Sequence, residues 1–145
     1  MTTAAAHPEL SNYPAPRYDT PRISAEELAE LIKSSKVLGV DYIVVDVRRT
    51  DFKDTFIPGA LNLPAQTFYP TVSTIVKVLS RIPVVVFHCH SCKETGRGPT
   101  TAGWYAAELE KQGIPETQSK PLVLTGGITE FSNKYQHDPI LITKL

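Results

Sequence analysis

Beyond a proline-punctuated start, apolar residues fall into two rhythms: a helical spacing of three to four, and short runs rich in β-branched side chains. Ser24 followed by Glu27 makes a capping-box pattern, and Leu28, Leu31 and Ile32 then recur on one face, which predicts a helix over 25–34. Residues 42–47 read as a buried strand. The polar, mixed stretch 51–56 suits a short helix or turn, and Ile57-Pro58-Gly59-Ala60 turns the chain into a brief strand over 61–63. A second helix is expected over 70–79, opening at Pro70, because proline is tolerated at a first helical position. The most apolar strand, 83–87, delivers His88 and Cys89 at its carboxyl end. Pro99 opens a third helix in which Ala102, Tyr105 or Ala106, and Leu109 share a face, ending near Gly113. A last strand, 122–124, leads through Gly126-Gly127 to a short helix carrying Phe131.

Strands alternating with helices imply an α/β fold of three layers, a mostly parallel central sheet with helices on both faces. Ligands of such sheets bind outside the carboxyl ends of the strands, where Cys89 falls. Residues 1–22 carry Pro8, Pro14, Pro16 and Pro21 among small and polar side chains. They read as an extended lead-in without regular structure, ahead of one domain over 23–145.

Composition narrows the class. With 41% hydrophobic and 21% charged residues in 145, the chain has the balance of a globular domain with a single core. Lys plus Arg and Asp plus Glu number 15 each, so no net field steers the protein to nucleic acid or an anionic membrane, and an anion must be captured locally. No apolar run with basic flanks opens the chain, and none is long enough to span a bilayer; the expected compartment is the cytoplasm, with the nucleus as alternative. Cys89 and Cys92 are the only cysteines. Three positions apart, they cannot staple a fold as distant bridges do, so their role is chemical or incidental.

The loop Cys89-His90-Ser91-Cys92-Lys93-Glu94-Thr95-Gly96-Arg97-Gly98-Pro99 is where chemistry concentrates. A cysteine between a strand tip and a helix amino terminus meets unpaired backbone amides, which favour thiolate over thiol. Arg97 adds planar donors suited to two oxygens of a tetrahedral anion, and Gly96 and Gly98 let the backbone bend around it. His90, Ser91, Lys93 and Thr95 complete the candidate cradle. Glu94, within the loop, and Asp46, at the end of a neighbouring strand, are the nearest candidates for a general acid; a carboxylate in the place of Asp46 is more often structural, pairing with loop amides or Arg48, and one in the place of Glu94 is as often a solvated loop group. A plain connector between strand and helix is shorter, about 2–6 residues, than this segment.

Val45-Asp46-Val47-Arg48, Phe56 through Pro64, Phe87-His88-Cys89 with Arg97-Gly98-Pro99, and Leu124-Thr125-Gly126-Gly127-Ile128 resemble, in this order, the rhodanese superfamily. The resemblance spans residues 23–135. His-Cys with a loop ending in Arg-Gly-Pro resembles the Cdc25-like branch, which holds dual-specificity phosphatases and Acr2-type arsenate reductases. It implies Cys89 as nucleophile, Arg97 as oxyanion clamp and His88 as a support of the loop. It implies as substrate a small oxyanion or phosphorylated compound and, for a reductase, external glutathione with glutaredoxin or thioredoxin in place of a bound cofactor. The spacing departs from the pattern: seven residues separate Cys89 from Arg97, where the Cdc25-like loop has five.

Alternatives stay open at this stage. Counted from Cys92, four residues precede Arg97, a sulfurtransferase-like length. A thiosulfate sulfurtransferase and a non-catalytic binding module both remain consistent with the pattern. Cys92 has the spacing of a redox partner and could attack a modified Cys89. A zinc site at His88, Cys89, His90 and Cys92 is disfavoured, because consecutive residues leaving a strand point to opposite sides and no second cluster exists.

Overall fold

The computed structural model describes residues 8–145; the opening seven residues of the lead-in, His7 among them, lie outside the described residues. In chain order the elements are β1 (Arg22–Ile23), α1 (Ala25–Lys33), β2 (Tyr42–Asp46), β3 (Thr55–Phe56), β4 (Leu61–Asn62), α2 (Ala65–Leu79), β5 (Val84–His88), α3 (Arg97–Lys111), β6 (Lys120–Leu124), α4 (Gly127–Tyr135) and β7 (Thr143–Lys144). Five strands pair in parallel in the order β1-β6-β5-β2-β4, so the alternation of strand and helix produces the central sheet expected of it.

The period of two along β2 and β5 sorts side chains between two cores. Val45, Val47, Val85, Phe87 and Val123 face α2 and α3, packed with Phe68, Val76, Tyr105 and Leu109. Tyr42, Val44, Val86 and Leu124 face α1 and α4, packed with Leu28, Ile128 and Phe131. Continued past β5, the same alternation sends His88 toward the α4 side and puts Cys89 in the α2/α3 layer. Both caps of the α1 box form: Glu27 N–H donates to Ser24 Oγ at 3.0 Å and Ser24 N–H donates to Glu27 Oε1 at 2.9 Å.

Four expectations are corrected. The lead-in holds a short 3-10 helix (Pro8–Leu10) and β1. Its few apolar groups find partners on α2 and α3: Leu10 is fully buried, and Tyr13 stacks on Tyr69 with centroids 5.0 Å apart. Residues 51–56 end in a strand, because β3 pairs antiparallel with β7, Thr55 opposite Lys144 and Phe56 opposite Thr143. The second helix starts at Ala65, five residues before Pro70, since its buried stripe already includes Ala65 and Phe68. Pro70 therefore sits inside the helix, where the Thr71 hydroxyl donates to the Thr67 carbonyl at 2.8 Å. The third helix starts at Arg97, with Pro99 in its first turn, where a backbone N–H has no helical acceptor to lose.

Candidate active site

β2 and β5 run side by side and end together, Asp46 opposite His88, so the segments leaving both strands meet at one edge of the sheet. Cys89 opens the loop between β5 and α3. Its carbonyl accepts the Ile128 N–H at 3.1 Å and lies 3.0 Å from His88 Nδ1, while the His90 carbonyl accepts both Thr129 N–H, at 2.9 Å, and Thr129 Oγ1, at 2.8 Å. In a trans peptide the N–H points opposite to the C=O, so these bonds turn the His90 and Ser91 amides away from α4. Close packing makes the anchoring possible. A Cβ on Gly127, whose φ is +58°, would lie 2.6 Å from the His90 carbonyl oxygen.

Cys92 curls back under the loop in the left-handed region, φ +51°, and its buried sulfur lies 3.4 Å from Cys89 Sγ. The Cys89 N–H donates to Cys92 Sγ at 3.1 Å, and Arg22 Nη1 donates to the Cys92 carbonyl at 2.9 Å. Gly98 makes room for the pair, because a Cβ there would meet Cys92 Sγ at 2.7 Å. The hydrogen bond from Cys92, opposed by burial and helped by the Gly98 and Cys92 amides and the Arg97 charge, lowers the Cys89 thiol to about 5. The same bond, with burial and the Cys89 charge, pushes the Cys92 thiol well up. The pair therefore shares one proton, carried by Cys92, and leaves Cys89 ionised at neutral pH.

Arg97 lines the same pocket as this thiolate and is held by a residue that sequence reasoning missed. Its Nη1 donates to Asp51 Oδ1 at 2.8 Å and its Nη2 to Asp51 Oδ2 at 2.5 Å, a two-pronged pair that holds the Asp51 carboxyl well below the usual range. The available signal was topological: the segment after β2 ends at the same sheet edge as the segment after β5. Asp46 and Arg48 fix that segment. Both are buried, the guanidinium donating to Asp46 Oδ2 at 2.7 Å through Nη2 and to the Asp51 and Thr55 carbonyls at 3.2 and 2.9 Å. Asn62 ties the Asp46 and Arg48 carbonyls together at 2.9 and 2.8 Å. Asp46 thus takes the structural one of its two expected parts, and His88 Nε2 lies 3.5 Å from its Oδ2.

A pocket of about 280 Å³ is lined by Asp51, Cys89, His90, Ser91, Lys93, Gly96 and Arg97. Gly98 lies beneath it, against both sulfurs. Glu94 and Thr95 are exposed and outside the lining, so the cradle does not gather every loop position that the sequence offered. Among the described residues no group of three or more His, Cys, Asp or Glu side chains converges as metal ligands, and no helix is long and apolar enough to cross a membrane.

Comparison with known proteins places the fold in a family. A rhodanese-like domain profile matches residues 24–134. Arsenical-resistance protein 2 of Saccharomyces cerevisiae is 30% identical over 113 residues, covering 72% of this chain and 82% of that protein. The As-Sb reductase of Leishmania major superposes with a TM-score of 0.68 at 26% identity, over 86% of this chain and 85% of that one. The yeast protein Ygr203w, described as a protein tyrosine phosphatase of the rhodanese family, superposes with a TM-score of 0.68 at 18% identity, over 86% and 92% of the two chains, a likeness of fold.

Proposed function

This chain belongs to the rhodanese-like domain family, in its Cdc25-like branch, and on that premise we propose that it is a cysteine-dependent reductase of a tetrahedral oxyanion, arsenate. What carries the reading is the Cys89 thiolate on the floor of an anion-sized pocket, with Arg97 beside it and a second thiol against its sulfur. The arsenical-resistance relative and the Leishmania reductase support the choice of oxyanion.

Cys89 attacks arsenic; Arg97, Lys93 and the loop amides take up negative charge on the remaining oxygens, and a hydroxyl of arsenate leaves as water with its own proton and one from solvent. Arg97 must exchange the Asp51 carboxylate for the substrate's oxygens, which are matched to the same planar donors. A phosphomonoester likewise needs an acid to protonate its departing alkoxide. The one carboxylate lining the pocket is Asp51, which the substrate's oxygens displace from Arg97; Glu94 faces solvent. The second thiol, 3.4 Å from Cys89 Sγ and without a part in ester hydrolysis, favours reduction over phosphate-ester hydrolysis. Thiols supply the two electrons, with glutathione and glutaredoxin or thioredoxin as the external source.

The test sets purified protein beside Cys89→Ser, supplied with arsenate and thiol reductants, with an aryl phosphate, and with thiosulfate plus cyanide. Arsenite release that falls to background in the variant is the expected result. Cys89-dependent turnover of the aryl phosphate or of thiosulfate, with arsenate untouched, would transfer the assignment to a phosphatase or a sulfurtransferase.

A further inference from the structure

Resting on that reading of Cys89, we propose that Cys92 is the resolving thiol, which releases arsenite by forming a Cys89–Cys92 disulfide, and that a dithiol protein of the thioredoxin kind recharges the enzyme. The position of Cys92 is the first ground. Cys89 lines the pocket and Cys92 does not, so Cys92 lies behind Cys89 as seen by a substrate entering from the mouth. Arsenic reaches Cys89 Sγ from the pocket, whereas Cys92 meets the same sulfur from outside the lining, so attack by Cys92 need not compete with the substrate for the mouth. The sulfurs start 3.4 Å apart and need close only to a bond of about 2.0 Å. A backbone held at φ +51° and a glycine at 98, with no side chain to block the sulfur, keep Cys92 in place for this step.

The chemistry balances. Cys89 thiolate and arsenate give an S-arsenate ester and water; Cys92 yields its proton to solvent and attacks Cys89 Sγ as a thiolate, the S–S bond forms, the S–As bond breaks, and its electron pair stays on arsenic. Arsenic falls from the pentavalent to the trivalent state while two thiols become one disulfide. The adduct also prepares its own attacker. The Cys92 proton is held chiefly by the hydrogen bond and charge of the Cys89 thiolate, and both vanish when Cys89 is esterified. What then remains near Cys92 besides burial is the Cys89 N–H at 3.1 Å and the Arg22 charge, which favour its thiolate.

The choice of reductant follows from access. Of the two sulfurs in the disulfide, only that of Cys89 borders the pocket, so an external thiolate attacks there and Cys92 leaves. A monothiol would stop at a mixed disulfide on Cys89, which Cys92, tethered alongside, displaces again at high effective concentration. A dithiol avoids the return, because its own second thiol resolves the mixed disulfide.

Wild-type protein mixed with arsenate without external reductant should release arsenite in proportion to the chain and carry a Cys89–Cys92 disulfide by peptide mass spectrometry. With thioredoxin and its reductase it should turn over, whereas Cys92→Ser, assayed above the ordinary thiol value of about 8.5 so that its Cys89 is ionised, should lose that turnover and retain arsenic on Cys89 until glutathione is added. Arsenite release from wild type that waits on glutathione, with Cys92 still a thiol, overturns the proposal. If no reductant supports arsenate reduction by the wild type, the substrate reading fails, and hydrogen peroxide decides on the pair. A Cys89–Cys92 disulfide that thioredoxin reverses upholds the resolving role, and sulfinic Cys89 beside a free Cys92 removes it.

Discussion

A thiol becomes a strong nucleophile only on losing its proton, and the surroundings of Cys89 make that loss easy. The leading cause is the neighbouring thiol of Cys92, followed, against burial, by backbone amides and the Arg97 charge. The sign of the consequence is definite. Below about pH 5 Cys89 is a thiol and alkylates slowly; above it the thiolate dominates and the rate levels off. Iodoacetamide inactivation of wild type is therefore expected to show its inflection near pH 5, while in Cys92→Ala, without the leading cause, the inflection should move toward the ordinary thiol value of about 8.5. An inflection near the ordinary value already in the wild type would mean that the sulfur contact does not hold the proton. The sequence disclosed both cysteines and their spacing. It did not disclose Asp51, because a carboxylate in a mixed polar turn carries no mark of its partner until the ends of β2 and β5 are set side by side.

Between elements, the decisive joint is the one that seats the loop after β5 on the first turn of α4. Cys89 and His90 carbonyls take the Ile128 and Thr129 amides that a helix start leaves without partners, which orders the cradle and satisfies the helix by the same bonds. The Gly126-Gly127 step was legible as the link from the last strand to a helix, but its reason was not. Gly127 is a glycine because its φ is +58° and a carbonyl passes within 2.6 Å of where a Cβ would stand. Gly127→Ala should therefore act twice, by backbone strain of about 1–3 kcal/mol and by pushing the loop off α4. The expected result is a lowered melting temperature together with a loss of Cys89 reactivity at pH 7 measured by alkylation. Destabilisation with unchanged reactivity would separate the cradle's order from this joint. The helix boundaries at Ala65 and Arg97 were misread for one shared reason: a proline marks where a helix can begin, and both helices tolerate theirs a few residues inside.

For the molecule as a whole, the sheet, its two faces and the edge that carries the candidate site follow from alternation that any reader of the chain can see, whereas the lead-in does not. Its prolines read as extended and unburied, yet the segment crosses α3 so closely that a Cβ on Gly103 would stand 2.6 Å from the Arg17 carbonyl oxygen, and Trp104 Nε1 donates to the Pro14 carbonyl at 2.8 Å. Four prolines stiffen a segment without preventing it from packing, and a few apolar side chains suffice when the helices opposite present a matching surface. Leu10 shows the effect most plainly, being fully buried in the same core as Phe68, Phe87 and both cysteines. Leu10→Ala should destabilise the protein by about 2–5 kcal/mol if the strap unfolds with the core, which is the range for a buried leucine in a packed interior. If the strap instead detaches alone, the loss of global stability is limited to the free energy that holds it down, and hydrogen exchange in α2 and α3 would stay slow while the amides of the strap exchange quickly. Urea unfolding of the variant distinguishes the two. A shift of the midpoint within the leucine range makes the lead-in part of the domain, and since Arg22 at its far end donates to the Cys92 carbonyl, it would also make the segment part of what holds the second thiol beneath the first.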